Sequence, residues 1–244
     1  MAEKHSPLEQ FAIKPILELK VGGYDISFTN SALMMFIALG LVTLVMVYGM
    51  RHKALVPGRM QSMAEISYEL IANLLRDNVG KAGMPYFPFV FSVFMFILAA
   101  NLLGMLPYSF TFTSHIIVTF AMAATIFVGV TIIGFAKHGL HFFSLFLPSG
   151  TPIFLAPLII LIEIISYFVR PVSLSVRLFG NMVAGHTMLK VFAGFVIALG
   201  IFGVAPLILI VALTGLEIGI AIIQAYVFTI LTCIYLNDAV NLHH

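Results

Sequence analysis

Six polar side chains recur at steps of three or four residues in an otherwise apolar run: Glu163, Ser166, Arg170, Ser173, Arg177 and Asn181. That spacing sets them on one face of a helix. Such a face cannot meet lipid and must meet water, another helix or a partner protein. Ionisable groups inside a membrane cost about 2.5–3.5 kcal/mol each on insertion scales, so each is a functional candidate. Further on lie His186, Glu217, Gln224 and Asp238. Glu217 and Gln224 share a helix face, and Asp238 falls within about 40° of it. His186 falls about 180° round a regular helix from Arg177, so the two serve different compartments unless the helix is distorted near Gly180 or Gly185. For Arg170 the favoured reading is snorkelling or a structural pair with Glu163. Arg177, with no acid near it in sequence, is the stronger functional candidate.

These residue types suit stepwise proton transfer. Glu and His take and release protons when burial moves them toward neutrality. Arginine cannot release its proton and so can serve as an electrostatic gate. The small residues Gly215, Gly219 and Ala221 around Glu217 suit close helix packing. No phosphate-cradling glycine loop, metal-spaced Cys/His cluster or nucleophile elbow is present. His115, His138, His141 and His186 are not paired as two haems would need. No cofactor is called for.

The elements that must hold these groups follow from composition. Of 244 residues, 61% are hydrophobic and 9% charged, where soluble domains carry roughly 25% charged residues. A mean hydropathy of +1.10 agrees. An ordinary globular enzyme, a disordered chain and a nucleic-acid binder are excluded. An all-α polytopic membrane protein remains, read as one integral membrane domain. Cys233 is the lone cysteine, so there is no disulfide framework, and without Trp any interfacial anchoring falls to Tyr and Phe.

Residues 1–25 read as a polar N-terminal tail, with no signal-peptide core, and 26–50 as the first span. Apolar Met63, Ile66, Leu70, Leu74 and Leu75 make 60–78 an amphipathic helix, too charged to cross and suited to the interface. The charge-free stretch 82–136 breaks at Pro107 and the polar string after it into spans 86–106 and 116–136. A loop ending in Pro148–Pro152 leads to the block 153–236, turning near Gly203 and Pro206. Its first part, Ile153–Leu199, would be about 70 Å long as a helix, against a hydrocarbon core of about 30 Å. It is either two spans broken near Gly180–Gly185 or one strongly tilted helix. The first gives six crossings, the second five.

Arg51, Lys53, Arg59, Arg76 and Lys81 cluster in one loop region and Lys137 in another, while 107–115 and 196–206 carry no Lys or Arg. Basic loops face the cytoplasm or matrix. The N-terminus is therefore expected outside and, with five spans, the C-terminus inside.

At Ser173–His186, SLSVRLFGNMVAGH, the sequence resembles subunit a of the F-type proton-translocating ATP synthase. ANLLGMLPY (Ala100–Tyr108), PVSLSVRLFGN (Pro171–Asn181) and QAYVFTILTCIYLNDA after Glu217 agree, so the resemblance spans most of 28–240. It implies a non-catalytic stator subunit beside a rotating ring of c-subunits, with b-type peripheral-stalk subunits as further partners. The membrane would be a bacterial plasma membrane or a mitochondrial inner membrane. Two offset aqueous half-channels would reach the ring from opposite sides. Arg177 matches the family's essential arginine, and Asn181 and Gln224 match its polar neighbours. His186 and Glu217 stand as the exchanged His/Glu pair of mitochondrial members, which implies a relay in the outer half-channel. Glu163 and Asp238, at the inner helix ends, go to the inner half-channel. The family's long, nearly in-plane penultimate helix favours five spans. A weak inhibitory Zn²⁺ site at His186 and Glu217 is a minor expectation. A secondary transporter or standalone ion channel is the alternative, though no internal repeat supports it. A membrane scaffold would leave the polar stripe unexplained.

Overall fold

The structure is a computed structural model that describes residues 11–18, 20–21, 24–25, 27–51, 56–106, 109–147, 152 and 154–241. The expected break at Pro107, most of the Pro148–Pro152 loop, the first ten residues and His243–His244 lie outside the described residues.

Six helices account for nearly everything: α1 (Asn30–Gly49), α2 (Arg59–Val79), α3 (Phe87–Gly104), α4 (Ile116–His138), α5 (Ala156–Leu199) and α6 (Val204–Val240). The protein is an all-α polytopic membrane protein. Among the described residues four stretches are apolar and long enough to cross a bilayer, and the last, Ala156–Val240, is α5 and α6 joined by the short 3₁₀ turn Gly200–Gly203.

The first helix begins at Asn30, inside the expected first span 26–50, because the chain before it is tied down. Strand β1 (Pro15–Leu17) pairs antiparallel with β4 (Phe28–Thr29), and β2 (Lys20–Val21) pairs with β3 (Tyr24–Asp25). The described part of the expected tail is therefore two small hairpin ladders. Thr29 then caps α1, its hydroxyl accepting from the Ala32 N–H at 3.4 Å.

The amphipathic helix α2 divides its apolar residues between two surroundings. Leu74 and Leu75, with Ile71 and Val79, are buried in the main core, whereas Met63, Ile66 and Leu70 are exposed. Val79 at its end accepts a hydrogen bond from the Asn241 amide at 3.0 Å, just past α6. His138, ending α4, donates to the Val240 carbonyl at 3.1 Å. The ends of α2, α4 and α6 thus meet at one end of the molecule. A glycine at φ +77 after α2 (Gly80) and one at φ +56 after α4 (Gly139) take the left-handed turn that other residues resist.

The long-helix alternative is the one observed. Helix α5 runs 44 residues through Pro171, Gly180 and Gly185 without a break, about 66 Å of helix that fits a core of about 30 Å only obliquely. Buried hydroxyl and amide contacts stitch it and α6 to the other helices. Thr119 meets Ser175 at 3.2 Å, Thr131 meets the Tyr167 hydroxyl at 2.7 Å, and the Asn101 amide donates to the Ala221 carbonyl at 3.2 Å. Such polar links replace the hydrophobic drive that lipid removes.

If α1, α3, α4, α5 and α6 each cross, a label at the C-terminus and one in the 51–59 loop should report from the same side. A label at the N-terminus should report from the other. Membrane-impermeant cysteine labelling decides it, and two termini on one side would rule five crossings out.

Candidate functional site

Three polar contacts bridge α5 and α6. Arg170 Nη1 donates to Asp238 Oδ2 at 2.8 Å, Asn181 Nδ2 donates to Gln224 Oε1 at 3.0 Å, and His186 Nδ1 lies 3.7 Å from Glu217 Oε1. As the residue number climbs along α5 it falls along α6, so the two helices form an antiparallel hairpin. The structure thereby brings together Asn181 with Gln224, and His186 with Glu217.

Arg170 does not pair with Glu163, contrary to the sequence expectation. It reaches across to Asp238 and lies over two rings, 5.4 Å from the centroid of Tyr167 and 5.0 Å from that of Tyr235. Asp238 is consequently not a free carboxylate. Glu163 is half-buried and makes no ion pair among the described residues.

At the opposite end of the hairpin, His186 Nε2 lies 2.9 Å from the Gly104 carbonyl and 3.1 Å from Thr111 Oγ1. A carbonyl only accepts, so Nε2 carries a hydrogen and donates it. That leaves Nδ1 facing Glu217 Oε1. At 3.7 Å the two atoms stand just beyond hydrogen-bond reach, close enough for charge on one to bear on the other. Glu217 is 9% exposed, and neither carboxylate oxygen has a hydrogen-bond partner among the described residues. A buried carboxylate without donors is costly as an anion unless a cation faces it, which ties its charge to that of His186. The pair offers a metal two donors where zinc favours four ligands. No cluster of three or more His, Cys, Asp or Glu occurs among the described residues.

A cavity of about 650 Å³ opens onto this pair, lined by Lys14, Asn30, Ser109 and Lys190 as well as His186 and Glu217. It lies at the end of the molecule where the loops lack Lys and Arg. The segment before α1 forms part of its wall, held by Asn30 Nδ2 donating to the Ala12 carbonyl at 3.2 Å, and the Phe11 ring stands 6.5 Å from that of His186. In the loop before α4, burial holds the His115 imidazole below the ordinary histidine range, against an opposite pull from a backbone hydrogen bond to Phe11.

Glycine enables the Glu217 contact, but not at the positions the sequence suggested. Gly215 and Gly219 have open space where a Cβ would project, whereas a Cβ on Gly185 would overlap the Glu217 carboxylate. The close approach is made on α5. Similarly, a Cβ on Gly104 would stand 2.7 Å from Thr111 Cγ2, which holds that loop against His186. Sequence reasoning missed Thr111 and Asn101 as site residues. Thr111 sat in the polar string taken only as a break, and nothing local to Asn101 reveals that it faces α6.

Arg177 differs from the rest. It is exposed on α5, as are Ser166, Ser173 and Asn181, and it makes no ion pair among the described residues. His186 is turned inward on the same unbroken helix, as the half-turn offset requires. It is an arginine on the outer flank of an apolar hairpin, with no carboxylate paired to it among the described residues.

A family model described as ATP synthase A chain matches residues 32–237. The chain belongs to that family. It is similar to ATP synthase subunit a of Rhodospirillum rubrum, at 59% identity over 98% of this chain and 100% of the relative. It is similar also to that of Paramagnetospirillum magneticum (58%, over 98% of this chain and 99% of the relative) and of Pelagibacter ubique (58%, over 98% and 99%). Membership makes it a membrane-sector subunit of the F-type ATP synthase rather than a catalytic one, and sets aside the standalone transporter and channel.

Because Gly185 leaves room for the Glu217 carboxylate, Gly185→Ala should displace it from His186 and cost about 1–3 kcal/mol of stability, as overpacking does. Gly194→Ala, with open space at that position, should do neither. Proton flux in vesicles and the thermal stability of the purified complex read both effects. Equal behaviour of the two variants would remove the steric argument.

Proposed function

We propose that this chain is the proton-conducting stator subunit of the ATP synthase membrane sector. It offers two offset half-channels to a rotating c-ring, with Arg177 as the gate between them and b-type peripheral-stalk subunits as further partners. The observation that carries the reading is the exposed guanidinium of Arg177, unpaired among the described residues, on the opposite side of α5 from the His186–Glu217 pair and its cavity.

The outer half-channel follows the cavity to His186 and Glu217, where the proton passes along. From there the buried Gln224 and its partner Asn181 lead to the face that carries Arg177. The inner half-channel is assigned to Glu163, which stands fourteen residues before Arg177 and near the start of α5. As a ring carboxylate passes, Arg177 favours its charged form and the proton leaves to one half-channel. Reprotonation then comes from the other. The guanidinium cannot carry the proton across, which prevents a short circuit. The N-terminus and the cavity face outward in this reading, and the basic 51–59 loop inward.

Arg177→Ala should abolish coupled synthesis and ATP-driven pumping while assembled complexes let protons leak passively. Arg177→Lys should fail or nearly fail, since an ammonium lacks the fork geometry and can lose its proton when buried. Proton flux in vesicles carrying assembled Arg177→Ala complexes tests this, and surviving coupled synthesis would refute the gate.

Glu217→Gln should leave assembly intact and slow proton-driven synthesis by about 10²-fold, the low end for a positioned proton-transfer group. Combined with a His186 substitution it should lose less than the sum of the single losses, because both act in one relay. Additive losses in synthesis assays would separate the two residues.

A further inference from the structure

We propose that Arg170 is a positioning residue for the gate: by holding Asp238 it keeps the nearest α6 carboxylate away from Arg177. The inference rests on the gate reading above and assigns a role that the family match does not.

The hairpin carries two arginines and two carboxylates in its inner half, and it pairs only one of each. Arg170 takes Asp238 at 2.8 Å, while Arg177 and Glu163 stay single. The two arginines are seven residues apart, hence on one face and about 10.5 Å apart along the axis. Long side chains on a helix lean toward its N-terminus, which draws Arg177 toward the Arg170 end. Tyr235, one turn before Asp238 on α6, marks the common ground. Its phenol lies within electrostatic reach of Arg170, Arg177 and Asp238 together. An unclaimed carboxylate there would find Arg177 as the next cation and neutralise it, leaving nothing to attract the rotor's carboxylate.

The surroundings of Arg170 fix it in this task. Its guanidinium lies over both the Tyr167 and Tyr235 rings, and the Tyr167 hydroxyl is anchored on Thr131 of α4 at 2.7 Å. The slot thus borrows rigidity from a third helix. Only 22% of the Arg170 side chain and 27% of that of Asp238 are exposed, so solvent screens the pair only in part. Around Asp238 stand Arg170 and Tyr167 from α5, Tyr235 from its own helix, and His138 of α4, which holds the Val240 carbonyl two residues on.

The test uses the whole complex in vesicles, with subunit recovery measured beside ATP-driven pumping and passive proton leak. Arg170→Gln should assemble, lose pumping and leak as Arg177→Ala does, because freed Asp238 quenches the gate. Adding Asp238→Asn should restore pumping by about tenfold over Arg170→Gln alone and close the leak, a coupling typical of residues sharing one partner. Arg170→Lys, which keeps a cation in the slot, should retain most of the pumping. A double variant no better than Arg170→Gln would overturn the proposal. So would Arg170→Gln complexes that are inactive without any leak, the mark of a merely structural clasp. Should Arg170→Gln not assemble, Asp238→Asn decides alone: pumping lost as fully as in Arg177→Ala would make Asp238 a proton carrier and overturn the guard. Failure of the gate reading itself shows separately, in Arg177→Ala vesicles whose Arg170–Asp238 pair is intact.

Discussion

The register between α5 and α6 is the constraint on which the rest depends. Three contacts of different chemistry fix it: an ion pair at Arg170–Asp238, an amide pair at Asn181–Gln224, and an imidazole facing a carboxylate at His186–Glu217. Sliding one helix past the other by a turn, about 5.4 Å, would break all three together. Lipid provides no hydrophobic force to hold helices in register, so side-chain links and steric fits must do it. Gly185 adds the sharpest fit, since the Glu217 carboxylate occupies the space a Cβ would need.

A single helix longer than the bilayer is thick gives this register its functional consequence. Glu163 and His186 are 23 residues apart on α5, about 35 Å along the axis and comparable to the hydrocarbon core. Because α5 lies obliquely, that length covers only part of the membrane's depth, and the one element carries polar groups at different depths with Arg177 between them. Rotation around the helix separates them a second time, because His186 turns into the bundle while Arg177 turns out. Separation in depth and separation in azimuth together are what two offset paths to one external site require. Two short helices broken at Gly180 would have left the relative azimuth to a loop.

What the sequence made legible was what repeats locally. The polar stripe on α5 and the shared face of Glu217 and Gln224 stand out because a helical period shows clearly against an apolar background. Partner choice did not, since Arg170 and Asp238 lie 68 residues apart in the chain and only the hairpin register joins them. Glycines misled for a related reason. Gly215 and Gly219 flank Glu217, yet the tight approach comes from Gly185 on the facing helix. The strands before α1 escaped notice because two- and three-residue ladders carry almost no periodicity. Helix α2 was recognisable as amphipathic, but its split into buried Leu74 and Leu75 and exposed Met63 and Ile66 depends on where α6 ends.

Considered alone, this chain is electrostatically unfinished in a specific way. The end that carries the cavity sets Glu217 beside His186. The opposite end of the hairpin matches Arg170 with Asp238. Between them Arg177 faces outward from an apolar flank that includes exposed Val172 and Val176. A permanent cation set against hydrocarbon is costly, and no carboxylate among the described residues pairs with it. On the gate reading proposed above, the complement is an acidic group on another protein, one that comes and goes as the cation acts. A fixed partner would satisfy the charge and end the traffic; a moving one satisfies it repeatedly.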